Sequence, residues 1–344
     1  MNTKMIIILA GILALPLICT AETYILSESG LEDISSSSMG SFAYKQSELK
    51  KLIDSGQTRR AKDLYETLRQ KYPEYSGPDA ESFMEAEMLY SSGKMHKAGK
   101  AYKEFAAKYP LSNWYEAAIE RLYDVGTSFI SGYKKPFLLV FRLSMFEDGA
   151  QLLNYTAGLT GTRPIAHRCL KTLATAYERR GDYDEAFEEW SGIYALWPTG
   201  SKGREAMLGM ARSLHSSYQG PDYQSPNLDY AYNSYETFSV RYPEAAEELG
   251  VEQVQQQIRN QEAYKEYLLG MYYVKVGNFE GAELYFQNII DNYDDTSIAE
   301  PTDKAMHELA KLREKVAENP PKERKGLWRF FDLFDIKKIK GYKL

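Results

Sequence analysis

An all-α solenoid of antiparallel helix pairs is the architecture this sequence predicts. Three observations predict it. A frame of small, aromatic, apolar and aromatic-Pro positions recurs five times in one register. Runs of helical period precede the frame and supply a partner helix. Composition fits as well, with 44% apolar residues and 28 Tyr against 4 Trp. A tyrosine packs its ring between helices and carries its hydroxyl to the edge.

The clearest copy runs from Gly181 to Pro198. Gly181-Asp182 reads as a loop with a helix cap. Ala186, Phe187, Trp190, Ile193, Tyr194 and Trp197 then form an apolar stripe. Pro198 ends the helix, because it lacks an N–H and its ring clashes with a preceding carbonyl. From Gly56 the matching positions are Ala61, Tyr65, Leu68 and Tyr72-Pro73. From Gly93 they are Ala98, Tyr102, Phe105 and Tyr109-Pro110. From Pro226 they are Ala231, Tyr235, Phe238 and Tyr242-Pro243. From Gly277 they are Ala282, Phe286, Ile289 and Tyr293, with Asp294 in place of Pro. A small residue where two helices cross, an aromatic one turn later and a stop are what the second helix of a helix–turn–helix repeat needs. The pattern predicts a tetratricopeptide-type, right-handed superhelical solenoid of about five repeats, with a degenerate middle repeat.

Residues 1–21 read as a secretory signal: Lys4, then a nearly unbroken apolar run from Met5 to Ile18, shorter than a membrane span. Cleavage after Ala21 is one expectation. Lipidation of Cys19 is the other, although Ile18 stands where a lipidation site usually has a small residue. Residues 22–41, with Ser35 to Ser38, read as a flexible tether.

The N-terminal repeats are expected over 42–165. Partner-helix runs are Phe83, Ala86, Leu89 and Tyr90 before Gly93, and Leu170, Leu173, Ala174 and Tyr177 before Gly181. Before Gly277 the run is Tyr264, Leu268, Met271 and Tyr272. Ala86, Ala174 and Gly270 lie seven residues before their turns, where the helices of a pair approach most closely. The first copy has Leu49 there, which predicts an atypical terminal pair. Within 111–165 the frame fails. Trp114 to Ile130 and Phe137 to Leu153 are read as the two helices of the degenerate repeat. The Phe137 to Phe141 run is either buried or a partner patch. The C-terminal repeats and a cap are expected over 166–318. Tyr218 to Pro226 forms a loop inside a pair, and Ala305 to Ala317 is the capping helix.

The tail, 319–344, differs from the rest. Residues 322–344 hold eight Lys and Arg against three Asp and Glu, a net of +5, while residues 22–321 sum to −12. Leu327, Phe330, Phe331 and Phe334 share a helical face beside Trp328, with Lys337 and Lys338 following. Such a segment suits an anionic membrane surface, a partner's groove, or a fold back onto the acidic repeats.

The residues supply no catalytic set. His96, His167, His215 and His307 fall on different repeats, and His167 and Cys169 are spaced to point apart on a helix. No Gly-rich phosphate loop is present, and the acidic body argues against nucleic acid. The expectation is a non-enzyme without cofactor or metal.

Tyr109-Pro-Leu-Ser-Asn-Trp-Tyr-Glu-Ala-Ala, the Tyr218-Gln-Gly-Pro-Asp-Tyr loop and Tyr272-Tyr273-Val-Lys-Val-Gly-Asn-Phe-Glu-Gly-Ala carry a resemblance. Over about residues 42–300 the chain resembles the BamD family, tetratricopeptide lipoproteins of the β-barrel assembly machinery at the bacterial outer membrane. The enlarged middle region, the tail and the sequence around Cys19 depart from that family. The resemblance implies a periplasmic scaffold at the inner face of the outer membrane. It would bind the periplasmic domains of the barrel insertase, other machinery subunits and unfolded outer-membrane proteins. A concave groove lined by the first helix of each pair would receive an extended peptide by its carboxylate end. Phe83, Glu87 and Tyr90, and Lys171, Thr175, Glu178 and Arg179, are its candidate contacts. The alternative is a periplasmic adaptor for cell-wall synthesis or division.

Overall fold

The computed structural model describes residues 24–27, 30–33, 42–73, 77–137, 141–221 and 226–318. The chain is a tetratricopeptide-like all-α solenoid, in which sequence-adjacent helices pack pairwise. It divides into two compact units, Met1–Val125 and Gly126–Leu344.

Unit 1 begins with a two-stranded antiparallel hairpin, β1 (Tyr24–Ser27) and β2 (Gly30–Asp33). That stretch was expected to be tether. Helix α1 (Phe42–Asp54) pairs with α2 (Thr58–Lys71), and α3 (Pro78–Ser91) with α4 (Met95–Lys108). Helix α5 (Tyr115–Ile130) follows and spans the unit boundary.

In unit 2, β3 (Lys134–Phe137) and β4 (Phe141–Ser144) form a second antiparallel hairpin, and α6 spans Phe146–Thr160. This corrects the helix expected from Phe137 to Leu153. Pro136 has no N–H to give, and the aromatic and β-branched residues around it favour extended backbone. The helix therefore starts only after Ser144, whose Oγ accepts the Phe146 N–H at 3.4 Å. Residues 138–140 and the side chains at 135–137 and 141–143 lie outside the described residues, so the Phe137–Phe141 patch is undescribed. Three pairs come next: α7 (Pro164–Arg180) with α8 (Tyr183–Leu196), α9 (Gly200–Ser216) with α10 (Pro226–Arg241), and, after a short α11 (Pro243–Glu248), α12 (Val251–Val276) with α13 (Phe279–Asn292). Helix α14 (Ala299–Glu318) covers α13, burying Leu309 and Leu312, as a cap should. No helix among the described residues is long and apolar enough to cross a membrane.

The frame has a physical basis at each position. Ala61, Ala98, Ala186, Ala231 and Ala282 are all 0% exposed, so any larger side chain there would push two helices apart. The aromatic one turn later is buried in four copies: Tyr102, Trp190, Tyr235 and Phe286. Gly56, Gly93, Gly181 and Gly277 take φ between 70° and 82°, a left-handed turn open to glycine and strained for other residues. The last aromatic is the C-cap in every copy, and its N–H returns to the carbonyl four residues back. Tyr72, Tyr109, Trp197 and Tyr242 hold ψ of 59–73° ahead of proline, whereas Tyr293, ahead of Asp294, has ψ 32°. The proline ring disfavours helical ψ in the residue before it, which explains the difference. One detail is corrected. Asp182 does not cap α8 by its side chain but pairs with Arg180 at 2.8 Å.

Close helix approach is visible where a Cβ has no room. A Cβ on Gly270 would lie 2.4 Å from the Phe286 ring, and one on Gly149 would lie 2.7 Å from Phe129 Cβ. Helix α6 therefore approaches the C-terminal end of α5 closely at Gly149.

Candidate functional site

A groove of about 880 Å³ opens in unit 1 along α1, α3 and α5, the first helices of successive pairs. Its floor is apolar. Leu49 and Ile53 come from α1 and Phe83 and Met84 from α3, and Phe83 stacks on Trp114 with ring centroids 5.0 Å apart. Trp114 is brought there by the turn between α4 and α5, where Ser112 donates to Asp79 at 2.6 Å. The rim is charged. Asp54 and Lys50 flank it on α1, and α5 contributes Glu116, Glu120, Arg121 and Asp124.

Glu87 lies at the centre of this wall, 2% exposed. Its carboxylate accepts from the buried Tyr102 hydroxyl at 2.7 Å and from Arg121 Nε at 2.9 Å and Nη2 at 3.0 Å. Arg121 also donates to Asp54 and covers the Tyr90 ring at 4.5 Å. The network joins α1, α3, α4 and α5. Burial, reinforced by the Glu87 carboxylate, holds the Tyr102 phenol well above its ordinary range. Burial also raises Tyr90, with Asp124 acting the same way.

The sequence candidates divide accordingly. Phe83 lines the groove but is a core residue, packed on Phe105 and Trp114. Glu87 lines it as a buried structural ion. Tyr90 is half-buried under Arg121. In unit 2, Lys171 pairs with Glu205 at 2.6 Å, the Thr175 hydroxyl donates to the Lys171 carbonyl, and Arg179 donates to the Thr175 carbonyl. Glu178 accepts from Trp190 Nε1 at 2.8 Å and from Arg212 Nη2 at 2.7 Å. None of these four lines either groove described here. Cys19 and the tail residues Leu327, Trp328, Phe330, Phe331, Phe334, Lys337 and Lys338 lie outside the described residues.

Glu87–Arg121 and Glu178–Arg212 are the same device, a carboxylate held by the aromatic at one frame position and by an arginine 34 residues on. That separation is one tetratricopeptide repeat. Sequence reasoning named both glutamates and missed both arginines, although the spacing was visible. It also missed Glu116, Glu120 and Asp124, which recur one turn apart.

A second groove, of about 530 Å³, runs in unit 2 between α8, α9 and α10. Met207, Met210, Leu214 and Phe187 line it, with Tyr230 exposed at its edge. Between α10 and α12, the Glu262 carboxyl lies in a small pocket with Asp229 and accepts from the Tyr293 hydroxyl at 3.5 Å. Burial pushes Glu262 up to about 7, and Asp229 pushes it the same way. Among the described residues no group of three or more His, Cys, Asp or Glu is placed to hold a metal ion.

Residues 39–75, which contain α1 and α2, match the tetratricopeptide repeat family. This is the pair that Leu49 had marked as atypical. No curated protein matches the chain. A tetratricopeptide repeat suggests a protein–protein interaction adaptor, and this all-α fold is typical of non-enzymatic scaffolds.

Proposed function

We propose that the chain is a non-enzymatic scaffold that holds segments of other proteins in the groove of α1, α3 and α5. The groove carries this reading: an apolar floor, a charged rim and walls made by successive repeats suit an extended chain. The finer proposal draws on the sequence resemblance over 42–300 and the signal-like residues 1–21. The protein then works in the periplasm, at the inner face of the outer membrane, within the β-barrel assembly machinery. Its partners are the barrel insertase, other subunits and unfolded outer-membrane proteins, and its tail contacts membrane or partner. Crosslinked affinity purification from native envelope tests this, and enrichment of the insertase is the expected result. Ile18 before Cys19 favours a second reading, an unanchored adaptor of cell-wall synthesis or division. Recovery of such enzymes without the insertase would select it. Mass spectrometry of the mature N-terminus adds a direct check, since a diacyl mass on Cys19 indicates anchoring and a free Glu22 does not.

A further inference from the structure

We infer that the second-helix face of unit 1, carried by α2 and α4, docks on an anionic phospholipid surface. The contact is independent of what the groove of α1, α3 and α5 holds and of any lipid on Cys19.

The sign of charge along equivalent helices carries the inference. Helices α2 and α4 are the second helices of their pairs, as α8, α10 and α13 are of theirs, and all five fill the same frame. Helix α2 holds five Lys and Arg against two Asp and Glu, and α4 holds four against one, a net of +3 each. In unit 2 the sign reverses. Helix α8 has four acidic residues and α13 three, with no cation on either, and α10 has two against Arg241. The frame is met at both signs, so the repeat does not require the positive charge on α2 and α4. The whole chain is at −6, so attraction to an anionic surface has to be local.

The fold gathers these charges. Ser91 Oγ donates to Thr58 Oγ1 at 2.9 Å, which sets the start of α2 beside the turn that leads into α4. Arg59 and Lys62 therefore lie near Lys94 and Lys97, and Lys100 continues the row along α4. All five are exposed. Among the described residues Arg59, Lys62, Lys94 and Lys97 make no ion pair, and Lys100 reaches only Glu104, at 3.7 Å, with its side chain 77% exposed. Like charges three residues apart oppose a helix rather than support it. Lys94 is also the N-cap of α4, where a cation meets the positive end of the helix dipole. Neither α2 nor α4 has an acidic residue in its first turn to offset this. The arrangement works against the fold and gains only from an external anion.

The residue types say which anion. Four of the five are lysines, compact charges on flexible stems that suit mobile headgroups, whereas arginine forks suit fixed carboxylates. None of the five lines either groove described above. Each Lys or Arg held close to an anionic bilayer raises partitioning by about fivefold.

The test is co-sedimentation of the full chain with vesicles, one set containing phosphatidylglycerol and one of phosphatidylcholine alone. The chain is expected to bind the phosphatidylglycerol vesicles more tightly, with binding falling as salt rises. The triple substitution Lys62→Gln, Lys94→Gln, Lys97→Gln should cut that binding by at least about thirtyfold. All three residues are exposed, so the thermal midpoint should hold, and melting checks it. Lys304→Gln, Lys311→Gln, Lys315→Gln on α14 changes net charge equally and should leave binding within about threefold. Equal binding to both vesicle sets overturns the inference, as does phosphatidylglycerol binding that ignores the α2 and α4 substitutions or falls equally with those on α14. A poly-glutamate peptide bound through these three lysines, by a chain that ignores the vesicles, makes the partner an acidic protein and overturns the lipid assignment.

Discussion

Replacing Glu87 with Ala should unfold unit 1 at markedly lower denaturant, although Glu87 was first read as a peptide contact. The substitution removes the acceptor of three hydrogen bonds, two of them from a guanidinium whose side chain is 12% exposed. Removing one partner of a buried ion pair costs about 3–5 kcal/mol; Asp54 and Asp124 still face Arg121, but they are 45% and 42% exposed and offset only part of that cost. The orphaned Tyr102 hydroxyl falls within that figure. Tyr102→Phe alone removes a single donor and should cost about 1 kcal/mol. Glu178→Ala in unit 2 removes the equivalent carboxylate, yet Arg212 is 45% exposed and water can replace its partner. That variant should lose about 1–3 kcal/mol, mostly because the Trp190 Nε1–H loses its acceptor. Urea unfolding followed by far-UV circular dichroism measures all three. The transition is fitted separately for each unit if two are seen, since a two-unit chain need not unfold in one step. A loss below about 1 kcal/mol for Glu87→Ala would refute the reasoning, because Asp54 and Asp124 would then suffice to hold Arg121. So would equal losses at Glu87 and Glu178, since burial is the variable that separates them.

Three further outcomes are expected. Glu262 has a folded-state pKa raised to about 7, so its contribution is complete at acid pH and is lost as pH rises through about 7. Glu262→Gln should flatten this slope and raise unfolding free energy at pH 8 more than at pH 5, by about 1 kcal/mol after allowance for solvent screening; an unchanged slope in urea unfolding across that pH range would place the titration elsewhere. A Cβ on Gly209 would lie 2.3 Å from the buried Trp190 ring, so Gly209→Ala should destabilise by about 1–3 kcal/mol in urea unfolding. Gly158 sits in α6 with open space around its Cα, so Gly158→Ala should stabilise by about 0.5–1 kcal/mol in the same assay.

How much of this was legible follows from what each feature depends on. The pairing of helices was legible because one frame sets the crossing residue, the neighbouring aromatic and the C-cap, and each is a local property of a single helix. The hairpin at 134–144 was not. Phe, Leu and Val satisfy a helical stripe and a short strand equally, and periodicity cannot separate them over so few residues. The groove was legible as a surface of first helices, but its chemistry was not. Whether Glu87 meets solvent or Arg121 depends on how α5 packs beside α3, and α5 lies where the frame fails. The 34-residue spacing between glutamate and arginine was the available clue, and it gains meaning only once the repeat length is known.

Burial also separates structure from function along the solenoid. The small, aromatic and apolar positions of the frame are buried in nearly every copy, so a substitution there reports on stability. Glu87 and Glu178 stand at different distances from their turns, yet each ties its own repeat to the next through an arginine. Both therefore belong with the structural residues despite their charge.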